Sequence, residues 1–231
     1  LAPRDIVAQS IVREMTRKND SYVYLDITSK STNWIKKRFP TVYEKCKEKN
    51  INPASEGIPV VPAAHYECGG VAVNQVGRTT IRGLKAVGEV SCTGLHGANR
   101  LASSSLLECL VYGTLAGQDA YDRIEEEDFL EPQIMEWEEE EETVEEDLLQ
   151  EDWMIVRHTM WNYAGIIRTS RKLERANGIF QHLKGDIEEF YAHSRLRDDL
   201  IGLRNAVTTA KMVLHAASLN RRSKGCHYRK D

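Results

Sequence analysis

The chain has 231 residues, 41% of them hydrophobic, and a formal net charge of −4. That length and apolar content suit one large domain or two small ones with a buried core. The mild negative charge argues against nucleic acid as a partner, no apolar run reaches membrane-spanning length, and no secretory leader is visible.

From the N-terminus, "PRDIVAQSIVREMTRK" sets Ile6, Val7, Ile11, Val12 and Met15 at helical spacing behind Pro3. "YVYLDI" alternates and predicts a strand. "STNWIKKRF" predicts a short helix with a Ser/Thr cap, and Pro40 opens another through about Lys49. "GIPVVPAAHY" is extended, with prolines that keep it out of a sheet centre. "GGVAVNQVGRTTIRGL" reads as two short strands around a turn at Asn74 to Gly77, and "LKAVGEV" as a buried strand. "ANRLASSSLLECLVYGTLAGQDAYDR" predicts a long helix whose apolar face is Leu106, Leu107, Leu110, Val111 and Leu115.

Residues 124–152 hold sixteen acidic side chains and no Lys or Arg, whereas residues 157–231 hold fifteen basic against seven acidic. The acidic run is a solvated linker or helix start, or else an electrostatic contact for the basic C-terminal part. After it the pattern is wholly helical. Trp153, Val156, Met160 and Ile167 form one stripe, Leu173 to Phe190 a second, and Leu200 to Ala217 a third. Short connections between them predict an antiparallel three-helix bundle, followed by a basic, irregular tail, "RRSKGCHYRKD". Cys46, Cys68, Cys92, Cys109 and Cys226 are scattered without a C-x-x-C pair, so no metal site or disulfide framework is expected, and a reducing cytoplasm is the simplest compartment.

The chemistry gathers around "GEVSCTGLHGANRLASSSLLE", residues 88–108. A glycine-rich loop lets backbone approach a bound molecule, and the helix it opens favours negative charge at its N-terminus. Glu89 can accept hydrogen bonds from ribose hydroxyls, as acidic groups do in dinucleotide sites. Arg4, His65 and Arg100 would suit a small dicarboxylate, since arginine grips a carboxylate through two parallel N–H bonds. On their own terms Arg4 reads equally as a surface helix-start residue, His65 as a loop histidine and Arg100 as a donor to loop carbonyls. His96 divides between a contact to the bound molecule and loop scaffolding.

The strings "LAPRDIVAQSI", "RFPTVYEKC", "IPVVPAAHYECGGVAVNQVGRTTIRGLKAVGEVSCTGLHGANRLASSSLLECLVYG" and "GCHYRKD" resemble the L-aspartate oxidases, a branch of the succinate dehydrogenase and fumarate reductase flavoprotein family. Ser104 stands where that family more often has Asn. The resemblance implies an α+β fragment of a longer FAD enzyme, because no G-x-G-x-x-G phosphate-binding unit occurs in the sequence. By this resemblance residues 1–57 end a substrate-capping domain, 58–123 are C-terminal segments of the FAD-binding α/β domain, 124–152 are the acidic linker or helix start, and 153–231 are the bundle and tail.

The resemblance also assigns roles. Arg4 matches the family's proton-transfer arginine, a role awkward for a guanidinium, which keeps its proton in proteins. His65 and Arg100 match residues that grip substrate carboxylates. Glu89 matches a flavin contact, with Ser105 and Leu106 as backbone contacts at the flavin ring. The implied reaction takes L-aspartate to iminoaspartate with oxygen or fumarate as electron acceptor, in the synthesis of quinolinate and NAD. Its implied partners are the N-terminal half of the enzyme and quinolinate synthase. The alternatives are a fumarate reductase or succinate dehydrogenase flavoprotein and, in another class, a non-catalytic helical assembly module.

Overall fold

The structure, a computed structural model, describes residues 2–124, 133–134 and 142–231. The chain divides into two compact units, Leu1–His65 and Tyr66–Asp231. Most of the acidic run falls outside the described residues.

In the first unit, α1 (Arg4–Lys18) has Asp5 in its first turn and Arg17 and Lys18 in its last, each complementing the helix dipole. Asn19 ends it in the left-handed conformation, its N–H returning to the carbonyls of Met15 and Thr16. Strand β1 (Val23–Leu25) pairs antiparallel with β2 (Ile58–Val60), Tyr24 opposite Pro59. The side chain of Ser31 caps α2 (Thr32–Arg38) by accepting from Trp34 N, and Pro40 opens α3 (Pro40–Glu48), where a missing N–H costs nothing. The core here is thin, with Gln9, Ile35, Cys46 and Pro53 its buried residues.

The second unit begins with irregular chain. Strand β3 (Val71–Ala72) pairs parallel with β4 (Ser91–Cys92) over two residues. The expected turn is present, Gly77 N–H donating to Asn74 O, but beyond it there is only a single bridge, Arg78 to Lys85. "LKAVGEV" is not the buried strand that its composition predicts. Leu84 and Val87 are exposed, and Gly88, at φ +76°, turns the chain into a 3-10 turn before β4 begins. Asp119 of α4 (Ser104–Arg123) receives Arg78 and Lys85, which hold its carboxyl well below the usual carboxylate range.

Helix α4 starts at Ser104, six residues into the stretch expected to be helical, and reverses the expected polarity. Leu106, Leu107 and Leu110 are 81%, 64% and 67% exposed, whereas Glu108 is 2% exposed. Spacing shows which residues share a face; it does not show which face is covered.

The bundle follows expectation more closely. It consists of α5 (Glu146–Ala164), α6 (Ser170–His193) and α7 (Asp198–Leu219). Leu173, Ala176, Phe180, Leu183 and Ile187 line α6 at alternating spacings of three and four. Leu200, Leu203, Val207, Ala210, Leu214 and Ala217 do the same on α7. These two rows meet in one buried core with residues of α5. Helix α5 begins seven residues before Trp153, because Glu146 and Asp147 favour a helix N-terminus. Ile167 lies beyond its end, and Val144 joins the bundle core from outside it. No helix among the described residues is long and apolar enough to cross a membrane.

Candidate active-site loop

Residues 88–108 run from the 3-10 turn through β4 and a loop into the first turn of α4. A buried carboxylate organises them. Glu108 accepts hydrogen bonds from the Tyr66 hydroxyl (3.1 Å), from the Thr93 hydroxyl and from His96 Nε2 (2.6 Å). Burial pushes the Glu108 carboxyl up, but bonds from Thr93, His96 and Tyr66 outweigh it and hold the group below its ordinary value. The same burial, with the bond to Glu108, pushes the Tyr66 phenol up to about 12. Because a carboxylate only accepts, Nε2 of His96 carries a proton, while Nδ1 faces the Ser104 hydroxyl at 3.4 Å. The His96 ring also meets Tyr66 edge-on, with centroids 5.2 Å apart. His96 is therefore a scaffold of the loop.

Arg100 follows. Its guanidinium lies over the Tyr66 ring at 4.9 Å, and Nη1 donates to Ser105 Oγ (3.1 Å) and Leu101 O (3.3 Å). Among the described residues its side-chain bonds use Nη1 alone, so the guanidinium is held at one corner and on one face. The reading of Arg100 as a donor to a loop carbonyl is thus part of the geometry, and it leaves the Nε–Nη2 edge to meet a carboxylate. Ser103 precedes α4 at φ +68° without capping it by its side chain; a left-handed serine of this kind costs of order 1 kcal/mol. The amides of Ser105 and Leu106 lie in the uncapped first turn. Glu89 Oε1 accepts from the amide of Glu67 at 2.9 Å, tying the 3-10 turn to the segment after His65.

The second unit thus brings Glu89, Arg100, Ser105 and Leu106 onto one stretch of chain. Arg4 and His65 are exposed residues of the first unit, one opening α1 and the other ending the unit. Sequence reasoning missed Glu108, Tyr66 and Thr93. The available signal was a glutamate set among leucines in "SLLECL", four residues after Ser104 and so on the loop side of the helix.

The depressed Glu108 carboxyl gives a pH expectation. A group whose folded value is lowered stabilises the fold above its ordinary value of 4.5 and loses that contribution as pH falls through the folded value. Thermal unfolding of the chain should therefore be nearly flat from pH 7 to about 5 and fall below about 4.5, and Glu108→Gln should make that acid limb shallower without abolishing it, because Asp119, held low by Arg78 and Lys85, contributes to it as well. An unchanged limb in the variant would show that other carboxylates carry it.

Two family models match. The one described as "FAD binding domain" covers residues 1–106, and the one described as "Fumarate reductase flavoprotein C-term" covers residues 155–231. The chain belongs to the succinate dehydrogenase and fumarate reductase flavoprotein family. Several curated relatives are named L-aspartate oxidase. The protein from Acinetobacter baylyi is 48% identical over the whole of this chain and 43% of its own length, and that from Yersinia pestis 46% identical over 44% of its length. The chain thus spans less than half of the relatives it matches. Among solved structures, an Escherichia coli quinol fumarate reductase superposes on 99% of the chain and 43% of its own, with a TM-score of 0.79 at 30% identity. A second quinol-fumarate reductase gives 0.82 at 28% identity, covering 99% of this chain and 44% of its own.

Proposed function

We propose that this chain forms part of an FAD-dependent L-aspartate oxidase, converting L-aspartate to iminoaspartate for quinolinate and NAD synthesis. Fumarate or oxygen is the electron acceptor, and the product passes to quinolinate synthase. The observation that carries the reading is Arg100, held over Tyr66 and tethered through Nη1 at the head of α4.

The residues present fit FAD. A Cβ built at Gly94 or Gly97 would meet nothing within 4 Å, so a ligand can approach this backbone closely. The first turn of α4 is uncapped, and its N–H groups at Ser105 and Leu106 suit the electron-rich edge of the flavin. Glu89 offers a carboxylate to a ribose hydroxyl. When bound, FAD accepts the two electrons of the substrate's Cα–H bond. The protein's own residues do the rest. Arg100 orients a substrate carboxylate with its planar fork, and the resemblance gives His65 a carboxylate-gripping role as well. By the same resemblance Arg4 is the proton-transfer residue.

A preference for L-aspartate over succinate, measured on an FAD-loaded enzyme of the relatives' length carrying these residues, is the direct test. The reverse preference would support a fumarate reductase flavoprotein, the reading favoured by the structural superpositions alone. For the 231-residue polypeptide by itself, titration with FAD followed by flavin fluorescence is expected to show no saturable binding at low micromolar concentration. The sequence offers no G-x-G-x-x-G helix start to hold the pyrophosphate. Saturable binding there would show that residues 88–108 suffice.

A further inference from the structure

The C-terminal tail returns to the loop that carries Arg100. We propose that its Gly225–Cys226 turn is a positioning element for that arginine, seating residues 97–100 from behind. The inference rests on the reading of Arg100 as a carboxylate-binding residue.

The tail is ordered by the bundle. The Arg229 side chain is buried and donates from Nη1 to Ala217 O (3.0 Å), from Nη2 to Ser170 Oγ (2.6 Å) and from Nε to Asp231 Oδ1 (3.1 Å). Arg168 N–H donates to Tyr228 O (3.0 Å), and Lys230 N–H donates to Arg168 O (2.9 Å). His227 Nε2 donates to Asn220 O (2.8 Å), which leaves Nδ1 to accept from Arg168 Nη1 (2.8 Å). Both ends of α6 and α7 that face the tail are thereby tied to it.

From this platform two bonds reach residues that are distant in sequence. The Cys226 N–H donates to Ala98 O at 2.9 Å, and the Cys226 thiol lies 3.5 Å from Asn99 Oδ1. The approach is close enough to require glycine. Gly225 sits at φ +56°, and a Cβ there would collide with the Ala98 carbonyl. The loop is consequently gripped twice, at His96 by Glu108 and at Ala98–Asn99 by the tail, and Arg100 is the next residue. A guanidinium that must meet a carboxylate with two parallel bonds depends on where its Cα stands.

Two measurements test this. Amide hydrogen exchange on the full chain compares the parent with Gly225→Ala and with the control Lys230→Ala, whose side chain is exposed and whose backbone bond is kept. Gly225→Ala should speed exchange at the Cys226 amide and across residues 97–100, and the control should not. In the FAD-loaded enzyme carrying this chain, Gly225→Ala should raise KM for L-aspartate roughly tenfold with flavin content unchanged, within the about 100-fold that a misplacement of about 1 Å can cost. Unaltered exchange at residues 97–100 would overturn the proposal. So would altered exchange with an unaltered KM, in an enzyme that Arg100→Lys does inactivate. If Arg100→Lys is itself harmless, the proposed site is what fails, and with it the positioning role. Should Gly225→Ala not accumulate as folded protein, truncation after Asn220 removes the grip without a clash and must speed exchange across residues 97–100 and raise KM in the same way.

Discussion

Arg100→Lys is expected to lower L-aspartate turnover by about 100-fold in the FAD-loaded enzyme, the scale of loss from misplacing a reacting atom by about 1 Å. The substitution keeps the charge, so a purely electrostatic role would be nearly preserved. What it removes is the planar fork, which stacks on the Tyr66 ring and is tethered through Nη1 to Ser105 and Leu101. A lysine ammonium is a point charge on a flexible stem and inherits neither constraint. The effect should appear in kcat/KM for L-aspartate, with flavin content near that of the parent, because Glu108, Tyr66, Thr93 and His96 still hold the loop. Near-normal aspartate oxidation by the variant would remove Arg100 from substrate binding. A loss of flavin along with activity would instead assign Arg100 to the integrity of the α4 N-terminus.

Much of the helical architecture is legible in the sequence, and the reason is local. In α6 and α7 the apolar residues recur at three and four, and each helix needs only its bundle neighbours to bury them. Helix α4 shows the limit of the same reasoning. Its leucine stripe is as regular, yet Leu106, Leu107 and Leu110 face outward while Glu108 is buried, because the loop folded over its other side demands an anion there. "LKAVGEV" fails for a different reason: β-rich composition is a statement about neighbours, and Gly88 turns the chain before a ladder forms. The tail reads as irregular because its order comes from Arg229 and His227 bonding to groups remote in sequence, which no periodicity records. At the site, family-like strings single out Glu89, Arg100, Ser105 and Leu106, but the anion that organises them carries no motif of its own.

A polypeptide of residues 142–231 is expected to fold by itself as a helical bundle, whereas residues 2–123 alone are expected to aggregate or be digested. The bundle buries Leu149, Leu173, Phe180, Ile187, Leu200, Leu203 and Leu214 among its own three helices and seals one end with Arg229 and the tail. Its contacts are local and helical, which favours rapid independent folding. Residues 2–123 have two ladders of two or three residue pairs, a core of a few side chains, and a long helix with its leucines in solvent. Such an exposed apolar face marks a surface that aggregates unless something covers it. Circular dichroism of the 142–231 polypeptide should show a cooperative thermal transition. Phe180→Ala should abolish or sharply lower that transition, since emptying a fully buried phenylalanine costs about 3–5 kcal/mol against a small domain's total of roughly 5–15 kcal/mol. A stable, monomeric 2–123 fragment beside an unfolded 142–231 fragment would reverse this division and make the loop region the organising half of the chain.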